Sequence, residues 1–144
     1  MTKSFKEIKQ TLLMLKSIDR RVAQNFEKRT GISFTRYEML HTLFEQAQLS
    51  QIELQQTLKI DQAAITRHLK ILEEKNFVVR NRNKQNNREV IVEITDAGIS
   101  TLENCDLDKN QFIDELFNGF TDQEIKQLQI LVKKLIDNTE KLNS

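Results

Sequence analysis

The chain has 144 residues, no proline, three glycines, one cysteine and a formal net charge of +1. That length suits one typical domain, and the scarcity of both helix-breaking residue types argues for long, uninterrupted helices. No apolar run nears the roughly 20 residues a membrane span needs, the opening MTKSFKEIKQ is too polar for a secretory leader, and a lone thiol closes no internal disulfide; a cytoplasmic chain with no membrane partner is expected.

The small net charge conceals a partition. Residues 1–58 sum to +3, residues 59–90 to +4 and residues 91–144 to −6. Attraction to phosphate is local and screened beyond about 10 Å, so a basic middle beside an acidic tail suits a surface that meets a polyanion. Taken alone, the same charges also describe an ordinary solvated surface.

In chain order, helix starts are marked by a hydroxyl with glutamate three residues on: Ser4 and Glu7, Thr35 and Glu38, Ser50 and Glu53, Thr121 and Glu124. The hydroxyl accepts from the amide three residues ahead and the carboxylate returns to the cap amide. The first helix is predicted from about 4 to 29, with Phe5, Ile8, Leu12, Leu15, Val22 and Phe26 in one apolar stripe and a stop at Thr30 and Gly31. A second, about 36 to 47, buries Tyr37, Leu40, Leu43 and Phe44, with Met39 and Ala47 beside them.

A short third helix, about 51 to 58, presents Ile52, Leu54 and Leu58; a turn at Lys59, Ile60 and Asp61 leads to a fourth, about 62 to 75, which Asp61 caps. On the fourth, Ile65, Leu69 and Leu72 step by four and three and face the core. Gln62, Ala63, Thr66, Arg67 and Lys70 then face outward. Gln pairs bidentately with adenine, Arg with guanine, Thr with bases or phosphates, and an alanine or threonine methyl meets the thymine methyl; Lys70, further along, suits a phosphate. Each residue singly fits a solvated helix face. As a set on the second helix of a helix-turn-helix, they fit the major groove.

Asn76 falls where a left-handed cap is expected. FVVRNR and EVIVEIT then read as paired strands around the turn-rich loop NKQNN, giving a hairpin with Arg80, Arg82, Lys84 and Arg88 and only Glu89 as a nearby acid. An arginine at such a tip suits the narrow minor groove, the reading taken for Arg88; the plainer alternative is a hairpin that only touches backbone phosphate, and Lys84 fits either equally. Thr95 caps a long helix, about 96 to 118, carrying Leu102, Phe112, Ile113, Leu116 and Phe117. The last helix, about 122 to 142, carries Ile125, Leu128, Leu131, Val132, Leu135, Ile136 and Leu142. The terminal helices hold more apolar surface than the compact middle consumes, and a homodimer around a two-fold axis would bury the surplus.

No phosphate-cradling glycine loop, nucleophile motif or metal-ligand spacing appears: His41, His68 and Cys105 form no metal set, and neither a cofactor nor catalysis is expected. Cys105 sits near Glu103, Asp106 and Asp108, whose carboxylates raise a thiol's pKa and suppress its thiolate.

The runs ITRHLKILEEKNFVVR and NNREVIVEITDAG resemble the signature of the MarR (multiple-antibiotic-resistance regulator) family of winged-helix repressors, and the order of elements is similar from about residue 8 to the end. The resemblance implies an obligate homodimer that binds a pseudo-palindromic double-stranded DNA operator, in many members released by a small-molecule effector or an oxidant. It places Gln62, Ala63, Thr66 and Arg67 on the family's base-reading face and Arg88 at its wing-tip arginine. Asn86 stands where the family usually has Asp, Asn76 where it has Gly, Ile94 where it has Leu, and the first helix lacks the cysteine of the oxidant-sensing branch.

The expected fold is therefore mainly α with a small β-hairpin wing, one domain in which residues 35–98 form a winged helix-turn-helix and residues 1–30 and 100–144 supply dimerisation helices. The expected site is Gln62, Ala63, Thr66, Arg67, Lys70, Arg82, Lys84 and Arg88 on DNA. The rival from another class is a winged helix whose basic face meets an acidic protein. Residues Phe26, Tyr37, Phe44 and Phe112 are compatible with an effector pocket and equally with ordinary core packing.

Overall fold

A computed structural model describes residues 4–86 and 88–143; Asn87 of the predicted wing loop and residues 1–3 and 144 of the predicted dimerisation segments lie outside the described residues. Elements follow in the order α1 (Phe5–Thr30), α2 (Phe34–Gln46), β1 (Gln48–Ser50), α3 (Gln51–Leu58), α4 (Gln62–Glu74), β2 (Val78–Arg82), β3 (Val90–Ile94), α5 (Asp96–Leu116) and α6 (Asp122–Leu142). The chain divides into two compact units, Met1–Asn110 and Gln111–Ser144.

In the first unit local chemistry fixes most boundaries. Ser4 Oγ accepts from the Glu7 amide at 3.3 Å, and α1 ends at Gly31, whose φ of 81° favours a residue without Cβ. The predicted Thr35 cap is corrected: Ser33 caps α2, with Oγ taking the Arg36 amide at 3.2 Å. The earlier start places Phe34 in the first turn, where its ring meets Phe26 edge-on at 5.1 Å, a packing term that local spacing does not encode. Ser50 and Asp61 cap α3 and α4 as expected, through the Glu53 and Ala64 amides.

Asn76 adopts a left-handed φ of 64° and turns the chain from α4 into β2. Its carbonyl accepts from Thr95 Oγ1 at 2.6 Å, the Phe77 carbonyl accepts from the Thr95 amide at 3.0 Å, and Thr95 Oγ1 in turn accepts from the Gly98 amide at 3.1 Å. One threonine thus ties the root of the hairpin to the start of α5.

The sheet is antiparallel in the order β1-β3-β2. β2 and β3 pair from Val78↔Ile94 to Arg82↔Val90, and β1 adds the unanticipated register Leu49↔Val92 on the other edge of β3. Met39, Leu40 and Leu43 of α2, Leu54 of α3, Ile65, Leu69 and Leu72 of α4, and Val78 and Val92 of the sheet are essentially inaccessible to water. Two predicted inward residues are not inward: Phe44 is 53% exposed and Ile52 60% exposed, because the inward side of each short helix is already filled by Leu40 and Leu43 or by Leu54. On α1 only Phe26 of the apolar stripe is buried, while Phe5, Ile8 and Leu12 lie open.

The second unit is the end of α5 with α6. Phe117 and Phe120 stack edge-on at 5.3 Å around the turn at Gly119, and Thr121 and Glu124 form the full reciprocal cap at 3.1 and 2.9 Å. No α6 residue is buried within this chain. No described helix is long and apolar enough to cross a membrane.

Candidate nucleic-acid interface

The α3–α4 turn needs an abrupt reversal, which Lys59 supplies with φ 54° and ψ 45°, its amide bonded to the Gln55 carbonyl. A non-glycine residue there costs about 1 kcal/mol. The reversal sets α4 with Ile65, Leu69 and Leu72 inward, and leaves Gln62, Ala63, Thr66, Arg67 and Lys70 all exposed. The apolar residues anchor the helix; the five others are free to meet something outside. Thr66 is partly committed: its hydroxyl donates to the Gln62 carbonyl at 2.9 Å and accepts from Gln51 Nε2 at 3.4 Å.

In the hairpin, Arg82, Lys84 and Arg88 are exposed. The loop between the strands is held by asparagine side chains. Asn83 Oδ1 accepts from the Gln85 amide at 2.9 Å while its Nδ2 donates to Glu89 Oε2 at 2.9 Å, and Asn86 Oδ1 accepts from the Arg88 amide at 3.2 Å. Asn86 thus takes a structural role through its neutral amide, accepting from the backbone of Arg88 and leaving the guanidinium outward. Gln62 and Arg88 line one hollow of about 200 Å³ together with Gln51, Ile52 and Gln55, so the start of α4 and the wing present a shared surface.

Arg80 does not belong to that basic cluster. In register with buried Val92 it shares the inward side of β2 with Val78, and its guanidinium grips Glu73 of α4 through two bonds of 3.2 and 3.0 Å. That bond holds the Glu73 carboxyl below the usual range and raises Arg80 further above it. Along the hairpin itself Glu89 is the neighbouring acid; Glu73 is brought in by the fold. Gln51, Ile52 and Gln55 join the surface of Gln62 and Arg88 without a signal in the sequence, since helical spacing assigns Ile52 to the core and the two glutamines have no periodic signal.

The remaining candidates are structural. His41 Nδ1 pairs with Glu45 at 2.9 Å and stacks on Tyr37. Buried Cys105 donates weakly to the Thr30 carbonyl at 3.7 Å, and its thiol is pushed up by burial first and by Asp106 and Asp108 second. Among the described residues, no three His, Cys, Asp or Glu side chains gather as a metal site. Tyr37 and Phe44 line a hollow of about 310 Å³ with His41, Leu102, Asp106 and Lys109, whereas Phe26 is in the core and neither it nor Phe112 lines that space.

Two helices joined by a tight left-handed turn, the second with a polar outer face, followed by a basic hairpin, define a winged helix-turn-helix protein. The MarR family sequence profile matches residues 32–90. The Bacillus subtilis HTH-type transcriptional regulator YdgJ is 33% identical over 133 residues, spanning 92% of this chain and 81% of the relative. The multiple antibiotic resistance protein MarR of Salmonella typhimurium is 28% identical over 117 residues, 81% of each chain. A mutant MarR of Escherichia coli, solved in complex with operator DNA, superposes with a TM-score of 0.82 at 25% identity, covering 93% of this chain and 99% of that one. The chain belongs to the MarR family of transcriptional regulators.

Proposed function

We propose that this regulator is a homodimeric, sequence-specific reader of a pseudo-palindromic double-stranded DNA operator, acting as a repressor. Gln62, Ala63, Thr66 and Arg67 read base edges in the major groove, Lys70 meets a phosphate, and Arg82, Lys84 and Arg88 serve the wing, Arg88 in the minor groove. Residues 35–98 are the reading head, and residues 1–30 and 100–144 the dimerisation segments. The observation that carries this reading is the shared surface of Gln62 and Arg88, continuous with the exposed face of α4. Its place of action is the cytoplasm, where the DNA of the bacterial relatives lies, and no catalysis is part of it. The hollow beside Tyr37 and Phe44 supports release by a small-molecule effector.

Selecting duplexes from a random pool with the purified chain tests the proposal. A two-fold symmetric consensus, bound with an affinity that falls steeply with salt, is the expected result. Equal binding of selected and random duplexes at every salt concentration would instead favour an acidic protein partner.

A further inference from the structure

Behind the exposed face of α4, one side chain looks the other way. His68 is half-buried, and its Nδ1 lies 3.3 Å from Arg36 Nη1 in the first turn of α2. A guanidinium only donates, so Nδ1 must be the acceptor and the neutral ring carries its proton on Nε2. Arg36 itself is mostly buried, and its Nη2 reaches Glu27 Oε1 at 3.6 Å, in the last turns of α1. Glu27, Arg36 and His68 therefore form a polar chain across three helices, ending on the residue next to Arg67.

Resting on the proposed DNA reading, we propose that Arg36 is a positioning residue: by donating to neutral His68 while anchored on Glu27, it fixes the orientation of the recognition helix, and this makes sequence discrimination sensitive to protonation of His68. A second proton on the ring turns Nδ1 into a donor. The Arg36–His68 hydrogen bond is then lost and two like charges face each other at hydrogen-bond distance. The charges acting on the ring are Arg36 from α2 and Arg67 on its own helix; Glu27 of α1 bears on it through Arg36. Burial first, then those two arginines, depress the ring's pKa, so the neutral form prevails at neutral pH and the switch falls below 6.5.

Protonation also adds positive charge near the DNA, which strengthens binding to any duplex, so the informative quantity is the ratio of selected to scrambled affinity. Fluorescence anisotropy on the duplex selected at about pH 7.5, and on its scramble, should show wild-type discrimination falling about fivefold as the pH is lowered from there through the titration of the folded ring, the worth of one hydrogen bond. His68→Asn keeps an acceptor near the Nδ1 position without a titrating ring and should hold its discrimination within about twofold over the same range. Arg36→Gln keeps a donor but removes the repelling charge, so its loss of discrimination should begin at a higher pH than in the wild type. An arginine that supported the fold without bearing on the ring would leave that midpoint where it is. Flat wild-type discrimination, or the same decline in His68→Asn, would overturn the positioning role while leaving the DNA reading intact. Failure to select any consensus at about pH 7.5 would sink the DNA reading and this inference with it. Circular dichroism at each pH separates lost discrimination from lost fold.

Discussion

At Gly98 the absence of one carbon holds the base of the wing together. A Cβ there would overlap the Phe77 carbonyl oxygen and come within 2.7 Å of Ile94 Cγ1. The obstacle is backbone rather than a flexible side-chain tip, so Gly98→Ala is expected to cost about 2–3 kcal/mol, read as a lower urea midpoint at unchanged slope. Asn76→Gly, at a left-handed position whose carbonyl contact is preserved, should shift stability by less than about 1 kcal/mol. Acid stability has two separable residue-scale contributions. His68 is depressed below its ordinary 6.5 by burial, Arg36 and Arg67, so the unfolded chain takes up that proton first. Stability should then fall as pH drops below 6.5 and level off once the folded ring titrates. Glu73, depressed below 4.5 by its bond to Arg80, contributes above the unfolded value and loses that contribution as pH falls through the folded one. Thermal melts against pH should show the upper step vanish in His68→Asn and the lower in Glu73→Gln. Loss of both steps in either single variant would contradict the assignment.

At the scale of elements, the proposed DNA contacts of α4 and of the wing make different demands and should fail differently. Arg67→Ala is expected to relax base preference at one position per half-site by about 1–3 kcal/mol, whereas Lys84→Ala should weaken all duplexes alike and reduce the salt slope by about one. A uniform loss from Arg67→Ala would remove it from the base-reading set. These elements were legible in sequence because their determinants are local. Asp61, three inward aliphatic residues at helical spacing, and Asn76 give α4 its start, its orientation and its end. Where tertiary packing decides, local spacing does not suffice. β1 is only three residues and exists because Leu49 pairs with Val92, more than forty positions away. Ser33 prevails over Thr35 because of the Phe34 ring, and Arg80 leaves the basic cluster because strand register turns it toward Glu73. Of the proposed contact residues, those on α4 followed from helical period; the hollow that joins Gln62 to Arg88 required the fold.

For the whole molecule the outstanding fact, among the described residues, is the set of exposed apolar side chains of α1 in the first unit and of α6 in the second. Phe5, Ile8, Leu12 and Ile18 of α1 are 41–77% exposed, and Leu128, Leu131, Leu135 and Ile136 of α6 are 42–50% exposed. Monomeric soluble proteins rarely leave contiguous apolar patches above a few hundred Å² open, and covering such area is worth about 25 cal/mol per Å². In the proposed homodimer a second copy would supply the same surfaces by symmetry, which would also space two α4 faces for two half-sites about one helical turn apart. Leu135→Glu puts a charge on the exposed apolar face of α6, at a residue that is itself 44% exposed. Sedimentation of wild type should give a dimer at micromolar concentration and of Leu135→Glu a single chain, with circular dichroism unchanged. Because one reading head alone makes half the phosphate and base contacts, the single chain should also lose the symmetric footprint and show about half the dependence of affinity on salt. A wild-type monomer that still protects a symmetric site would mean that the DNA, rather than the terminal helices, brings the two copies together.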